Sequence, residues 1–340
     1  MAQLGVGIVP SGAIGAELSA VTRRAFIPDL VVQIYKATPT LSILMRNAQR
    51  AKGGVSQMTV PVQGGQFVNF SWSDYSGTFP QPSVQTAAQN AEFNLKLGVC
   101  PIPFMGMEAL IQSSEVVIPL LKARMADAKT VMVQSLSSSL FSNNSAVVGQ
   151  TVINGLPEAY DDGTNVTTYG GINRSTAGNS FWKSTLVTGA GGVLSRSSFI
   201  KYLVQATTVA GGESPDFVIM APGDWTTLMT DFQAYERYDT TPKSQYRTDD
   251  LQNSGFRGIM LGDTPIFMDP FLSNGTAYFI NSRYLALYLS EDAPFAFSGF
   301  YSAIPNLQIA NVGVVIVALN LVCTKPVSGL QVQGITGGAF

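Results

Sequence analysis

The chain has 340 residues, 46% of them apolar and only 12% charged, with a formal net charge of −2. Soluble domains run near ~25% charged, so this chain has too little charge to decorate a fully exposed surface, and identical copies are the simplest cover for the rest. It contains no histidine, which excludes Ser-His-Asp and Cys-His nucleophile activation, His-ligated zinc and the usual near-neutral general base.

Residues 1–50 mix Gly, Ala and Pro with short apolar stretches at 30–35 and 41–45 and show no strong period. They predict an extended arm with one short helix, ordered by a partner surface. The arm is basic: Arg23, Arg24, Lys36, Arg46, Arg50 and Lys52 stand against Glu17 and Asp29, so residues 1–52 carry +4 and the remainder −6. Such a segment reads as solvated or paired with acidic neighbours. Direct nucleic-acid contact stays open, although binders usually carry denser basic clusters. Pro10, Gly5, Gly7 and Gly12 interrupt any apolar leader, and no run reaches the ~18 apolar residues of a membrane span. Neither a secretory signal nor membrane association is expected.

From Val55 the period becomes two. Met58, Val60 and Val62, then Val68, Phe70 and Trp72, then Phe93, Leu95, Leu97 and Val99 alternate with polar or small residues, the pattern of strands with one apolar face. The stretch 78–90 between them is polar and Gln-rich with two prolines, too long for a tight turn. Two strands with a polar tip describe an arm projecting from the body, and an isolated ribbon is marginal in water. Its apolar face therefore needs another surface.

A helix follows over 116–141, about 39 Å at 1.5 Å per residue. Ile118, Leu121, Met125, Ala128, Met132, Leu136 and Leu140 form its stripe, and Lys122, Arg124, Asp127 and Lys129 lie off it. Ser113 or Ser114 can cap it, Pro119 belongs in its first turn, and Asn143-Asn144 ends it. Residues 145–192 are rich in Gly, Asn, Ser and Thr. Beyond them the rhythm is α/β: helices at 195–210 and 222–232, strands at 217–220, 265–268, 277–280 and 285–289, and a mixed-charge loop at 235–257. A strand at 312–323 precedes a Gly-rich tail. Cys100 and Cys323 sit in strand-like apolar runs and read as reduced core thiols; two cysteines cannot make a four-ligand zinc site.

Candidate chemistry is thin. Val187-Thr188-Gly189-Ala190-Gly191-Gly192 sits between a strand and a helix, but Leu194 stands where a third glycine would be needed, so a hinge fits better than a phosphate loop. Asp161-Asp162 and Asp249-Asp250 could be paired acids of a carboxylate-dependent hydrolase, but adjacent Asp residues in Gly/Thr/Asn-rich loops are turn formers. No cofactor or metal site is expected.

Tyr169-Gly170-Gly171-Ile172-Asn173-Arg174-Ser175-Thr176 followed by Phe181-Trp182, and Met268-Asp269-Pro270 with Tyr278-Phe279-Ile280-Asn281, resemble segments of the major capsid proteins of tailed bacteriophages. Encapsulin shells and the herpesvirus capsid floor share that fold. The resemblance covers nearly the whole chain in its order of elements. It implies an α+β phage major-capsid fold, with an N-terminal arm at 1–50 and an extended β-hairpin loop at 51–104. A peripheral domain would comprise 105–190 and 291–325 with a spine helix at 116–141, an α/β axial domain 191–290, and a C-terminal tail 326–340.

The function implied is that of a structural subunit, not an enzyme. It would self-assemble as hexamers and pentamers of an icosahedral shell around double-stranded viral DNA, in a virion capsid assembled in the host cytoplasm. Expected partners are other copies, separate scaffolding, portal and decoration proteins, and DNA by weak non-specific contact. Candidate contacts between subunits are Val68, Phe70 and Trp72 of the loop and Arg23 and Arg24 of the arm. The loop tip has no lysine, so the lysine crosslinks made by some relatives are not expected. An encapsulin-like compartment with an enzyme cargo is the nearest competing reading.

Overall fold

The computed structural model describes residues 38–52, 56–64, 88–105, 114–145, 151–189, 191–233, 258–261, 263–302 and 310–336. Two sheets organise them. The first is built on one 14-residue strand, β14 (Ala310–Cys323). Along one edge of β14 runs β4 (Lys96–Met105), antiparallel from Met105 opposite Ala310 to Lys96 opposite Leu319. Along the other edge lie β12 (Leu285–Ser290) and then β13 (Ala296–Ser302), with β1 (Gln49–Ala51) parallel outside β12. The second sheet has the order β7-β15-β11-β8-β10-β9. Its strands are β7 (Thr185–Val187), β8 (Phe217–Met220), β9 (Gly258–Leu261), β10 (Thr264–Met268), β11 (Thr276–Ile280) and β15 (Leu330–Gln333).

Each sheet needs a helix to cover an apolar face. Helix α1 (Pro39–Arg46) packs Leu41, Ile43 and Leu44 into the core of the first sheet. The long helix α2 (Ser114–Leu140) lies against the same core, with Met125, Met132, Val133 and Leu140 buried. Lys129, assigned to the polar side from spacing, is also buried, because the helix face against the sheet is wider than a single stripe. The helix starts at Ser114, which puts Pro119 beyond the first turn. At its far end Asn144 donates to the carbonyls of Ser139 and Ile153, and its N–H donates to Glu158 of the short helix α3 (Leu156–Ala159) at 2.7 Å. Burial holds the Glu158 carboxyl above its ordinary range despite that bond. In the second sheet, α4 (Arg196–Val209) buries Phe199 and Ala206, and Ser195 caps it with a reciprocal Ser198 bond. Helix α5 (Pro222–Gln233) adds Leu228 to this second core.

Several sequence-based boundaries shift. The apolar alternation through Phe93 and Val99 is not one strand. It breaks at Leu95 into β3 (Ala88–Asn94), which pairs with β2 (Gln57–Gln63), and β4, which belongs to the first sheet. The 326–340 tail is not a tail through Ile335: β15 enters the second sheet between β7 and β11, with Leu330 and Val332 fully buried. Flanking glycines hid it, and Gly329 is required there because a Cβ would overlap the Tyr160 ring. Strand β7 likewise joins the second sheet before the glycines that were expected to open it. The loop at 235–257 falls outside the described residues apart from its neighbours.

Candidate inter-subunit surface

The motif that carried the resemblance buries its largest side chains, Tyr169, Ile172, Arg174 and Trp182, and leaves Gly171, Asn173, Ser175 and Thr176 exposed. Tyr169 and Ile172 close a two-residue hairpin through Gly170 and Gly171, both at positive φ, between β5 (Thr168–Tyr169) and β6 (Ile172–Asn173). Arg174 is fully buried. Its guanidinium donates to the carbonyls of Trp182 (3.0 Å), Val166 (3.2 Å) and Ala159 (3.0 Å) and lies 5.0 Å from the Tyr169 ring centre. Burial pulls it below the ordinary arginine value, while Tyr169 and Asp161 oppose that shift. The Trp182 indole donates to the Tyr169 carbonyl, and the Cys323 N–H donates to the Tyr169 hydroxyl. Burial pushes the Cys323 thiol up to about 12, so it is an inert core group. Cys100 is free and half-buried, its thiol directed at the Ala128 carbonyl of α2.

Asp161 is a turn former. Its Oδ2 accepts from the N–H groups of Gly163, Asn165 and Val166, and Asp162 accepts from Thr164. Among the described residues no group of three or more Cys, Asp or Glu side chains could hold a metal ion, and no helix is long and apolar enough to cross a membrane.

The root of the β2-β3 ribbon lays its apolar face on the body of its own subunit, which supplies there the second surface that the pattern called for. Ala91 and Phe93 are buried, Met58, Val60 and Val62 pack on the first core, and Phe93 meets Tyr169 edge-on at 5.2 Å. Asn320, the one polar residue interrupting the apolar run of β14, fixes this root: its amide donates to the Asn94 carbonyl and its Oδ1 accepts from Asn154. Val68, Phe70, Trp72, Arg23 and Arg24 lie outside the described residues, as does Asp249-Asp250.

The exposed apolar surface lies elsewhere, on the first sheet. Residues directly opposite one another share a face. Leu97 faces Ala318, Val99 faces Ile316, Pro101 faces Val314, Pro103 faces Val312, and Tyr301 of β13 also faces Val312. The alternate set, Cys100, Ile102, Val315 and Val317, points at α2 and the core. Within this outward set Leu97 is 60% exposed, Val99 55% and Tyr301 63%, while Val312, Val314, Ile316 and Ala318 of the central strand are half-buried. At the outer edge of β4 two positions offer no donor for strand addition. The ladder to β14 runs unbroken through Pro101 and Pro103, so these residues, which have no N–H, occupy positions facing away from β14. The Pro103 carbonyl at that edge is taken by Arg124 at 3.0 Å. A smaller apolar patch on α4 exposes Ile200 and Val204, one turn apart, with Val193 nearby.

Sequence reasoning missed this face although a signal was there. Residues 312–319 of β14 are apolar without alternation, the mark of a strand covered on both sides, and among the described residues a helix covers only one.

A long helix across a β14-centred sheet, a second α/β sheet entered and left by the same chain, and a β-ribbon rooted between them define the fold class of tailed-phage major capsid proteins. In particular, the chain superposes on the capsid asymmetric unit of cyanophage A-1(L) with a TM-score of 0.68 at 17% identity, over 88% of this chain and 93% of that one. It superposes on the capsid of the native GTA particle with a TM-score of 0.52 at 8% identity, over 86% and 90% of the two chains. For the capsid of Myoviridae phage XM1 the TM-score is 0.52 at 10% identity, over 86% and 92%. At these identities the likeness is one of fold. No protein-family model and no curated protein matches the sequence.

Proposed function

We propose that the chain is the structural subunit of a protein shell: a major capsid protein whose copies associate as hexamers and pentamers of an icosahedral capsid around double-stranded viral DNA. The observation that carries this reading is the outward face of the first sheet. Its central strand has the sequence of a strand buried on both sides, and among the described residues a helix lies on one side only. The shared fold with capsid subunits, over most of both chains, supports the same reading. Closed shells reuse one surface at slightly different angles, and arms that overlap neighbours suit that need. On this reading 1–50 is the N-terminal arm and the ribbon carries the extended loop, with Val68, Phe70, Trp72, Arg23 and Arg24 meeting adjacent copies. The virion is assembled in the host cytoplasm with separate scaffolding and portal proteins.

The test is to express the full chain and image it by negative stain, then treat the particles with nuclease and measure their buoyant density. Hollow particles, sheets or tubes are the expected product, and particles purified from producing cells should hold nuclease-protected DNA. A small soluble oligomer with no higher assembly overturns the shell reading. Particles filled with protein cargo and free of protected DNA overturn the viral half of it in favour of a compartment.

A further inference from the structure

The two sheets are joined by one continuous antiparallel ribbon. Strand β11 leads into β12 through 281–284, and β14 leads into β15 through 324–329. The pairs on either side are Phe279 with Leu330 in the second sheet and Leu285 with Cys323 in the first. Between them the ladder lapses, and the Thr324 N–H to the Tyr284 carbonyl (2.9 Å) bridges the gap. With the ladder lapsed, any change of angle between the two sheets turns at this crossing, beside a buried cluster to which both contribute.

The 210–216 loop grips one side of it, while Ser184 Oγ holds the Gly329 carbonyl at the end of the second crossing (2.8 Å). Gly211 and Gly212, both at positive φ, turn the chain sharply after α4, and residues 210–216 then run along the crossing. The Ala210 carbonyl accepts from the Lys325 ammonium (3.1 Å), and Glu213 accepts from the Tyr284 hydroxyl (2.8 Å) and from Lys325 (3.3 Å), with Arg283 at 4.0 Å. The Ser214 carbonyl accepts from Asn281 (3.4 Å), and Asp216 takes both the N–H and the hydroxyl of Ser282. Every residue from 281 to 284 thus meets this loop or its side chains except through its own turn bonds, and Lys325 brings in the second crossing. The grip has two halves. Asp216 is held by short bonds close to the strand ends. Glu213 and Lys325 are about one-third exposed, and an ion pair at that exposure is weak and screened by salt.

We propose that the 210–216 loop is a releasable clamp on this hinge, its ionic half formed by Glu213, Tyr284 and Lys325, and that the clamp holds one angle between the two sheets. Release of the ionic half leaves both sheets folded and lets the angle vary. The inference does not depend on the shell reading.

The test uses the full chain with Cys100→Ala, Gln134→Cys on α2 and Thr226→Cys on α5, both exposed positions; Cys323 is fully buried and stays unlabelled. Spin labels at 134 and 226 read the inter-sheet distance, and hydrogen exchange reads the Thr324 amide. In Glu213→Gln, and to a smaller extent in the milder Tyr284→Phe, the distance distribution should broaden. The Thr324 amide should exchange about tenfold faster while Val218 and Phe279 amides in the sheet are unchanged, the mark of a local opening. In the parent protein about 1 M NaCl, where the screening length is ~3 Å, should broaden the distribution as well, and Glu213→Gln should abolish that response. An unchanged distribution in both variants and in salt overturns the clamp. So does faster exchange spread equally through both sheets, which would report general destabilisation instead.

Discussion

Arg174 sits at the centre of the most recognisable segment of the sequence, yet nothing it does faces outward. A cation with no exposed surface must be solvated by the protein, and here three backbone carbonyls and an aromatic face do it. Those carbonyls come from three separate stretches, at 159, 166 and 182, so one side chain ties together a loop that has almost no regular structure. Arg174→Ala leaves all three acceptors unpaired in the interior. Arg174→Lys supplies a point charge that cannot span the fork. Both variants should lose about 3–5 kcal/mol of stability, the usual scale for breaking a buried charged network, read as a fall in the urea midpoint. A loss under about 1 kcal/mol for the lysine variant would show that the planar fork is not what matters. The sequence revealed that the segment is distinctive; that it is a buried staple follows only from where the three carbonyls lie.

At the scale of elements, several strands and helices follow their local patterns, whether one face is buried, as in α4, or both, as in β8. Helix α4 and strands β8, β10 and β11 fall within a residue or two of their expected bounds. The failures have a common cause. Strand β4 alternates as β3 does, and spacing alone could not say that the chain changes sheets at Leu95. Strand β15 is short and bracketed by glycines, so its assignment depends on partners far away in sequence. For β4 the consequence is testable. Leu97 and Val99 are more than half exposed in the subunit, so Leu97→Asp with Val99→Asp should change subunit stability little, within about 0.5 kcal/mol. The same pair should abolish particle formation, because two carboxylates would be desolvated at the contact. Melting curves that match the parent, together with an absence of particles in negative stain, are expected. Normal particles from this double variant would remove the outward face of the first sheet from the assembly contact.

For the whole molecule, the order in which the chain visits its two sheets matters most. It leaves the first sheet, builds most of the second, returns through β12, β13 and β14, and ends by inserting β15 into the second sheet between β7 and β11. The last strand therefore closes a sheet begun more than a hundred residues earlier. Ending the chain after Gly329 should abolish soluble expression or leave 185–280 open to limited proteolysis. It removes the partner of both β7 and β11 and two fully buried side chains, Leu330 and Val332, each worth about 1.5–3 kcal/mol. A truncated protein with parent-like protease resistance would mean that the second sheet is stable without its closing strand.

The sequence by itself determined what depends on composition and local period. The lack of histidine removed whole classes of catalysis, the scarcity of charge called for cover beyond a charged surface, and the 3.6- and 2-residue rhythms located most helices and strands. Tertiary structure decided which surfaces are spent internally and which remain. It buried Ile172 and Arg174 of the Gly-Gly-Ile-Asn-Arg motif, docked the root of the ribbon on its own body, and left Leu97, Val99 and Tyr301 exposed on the outward face of the first sheet. The reason is physical: period reports that a residue wants burial, but only the three-dimensional pairing of distant segments fixes whether the same chain or another copy provides it.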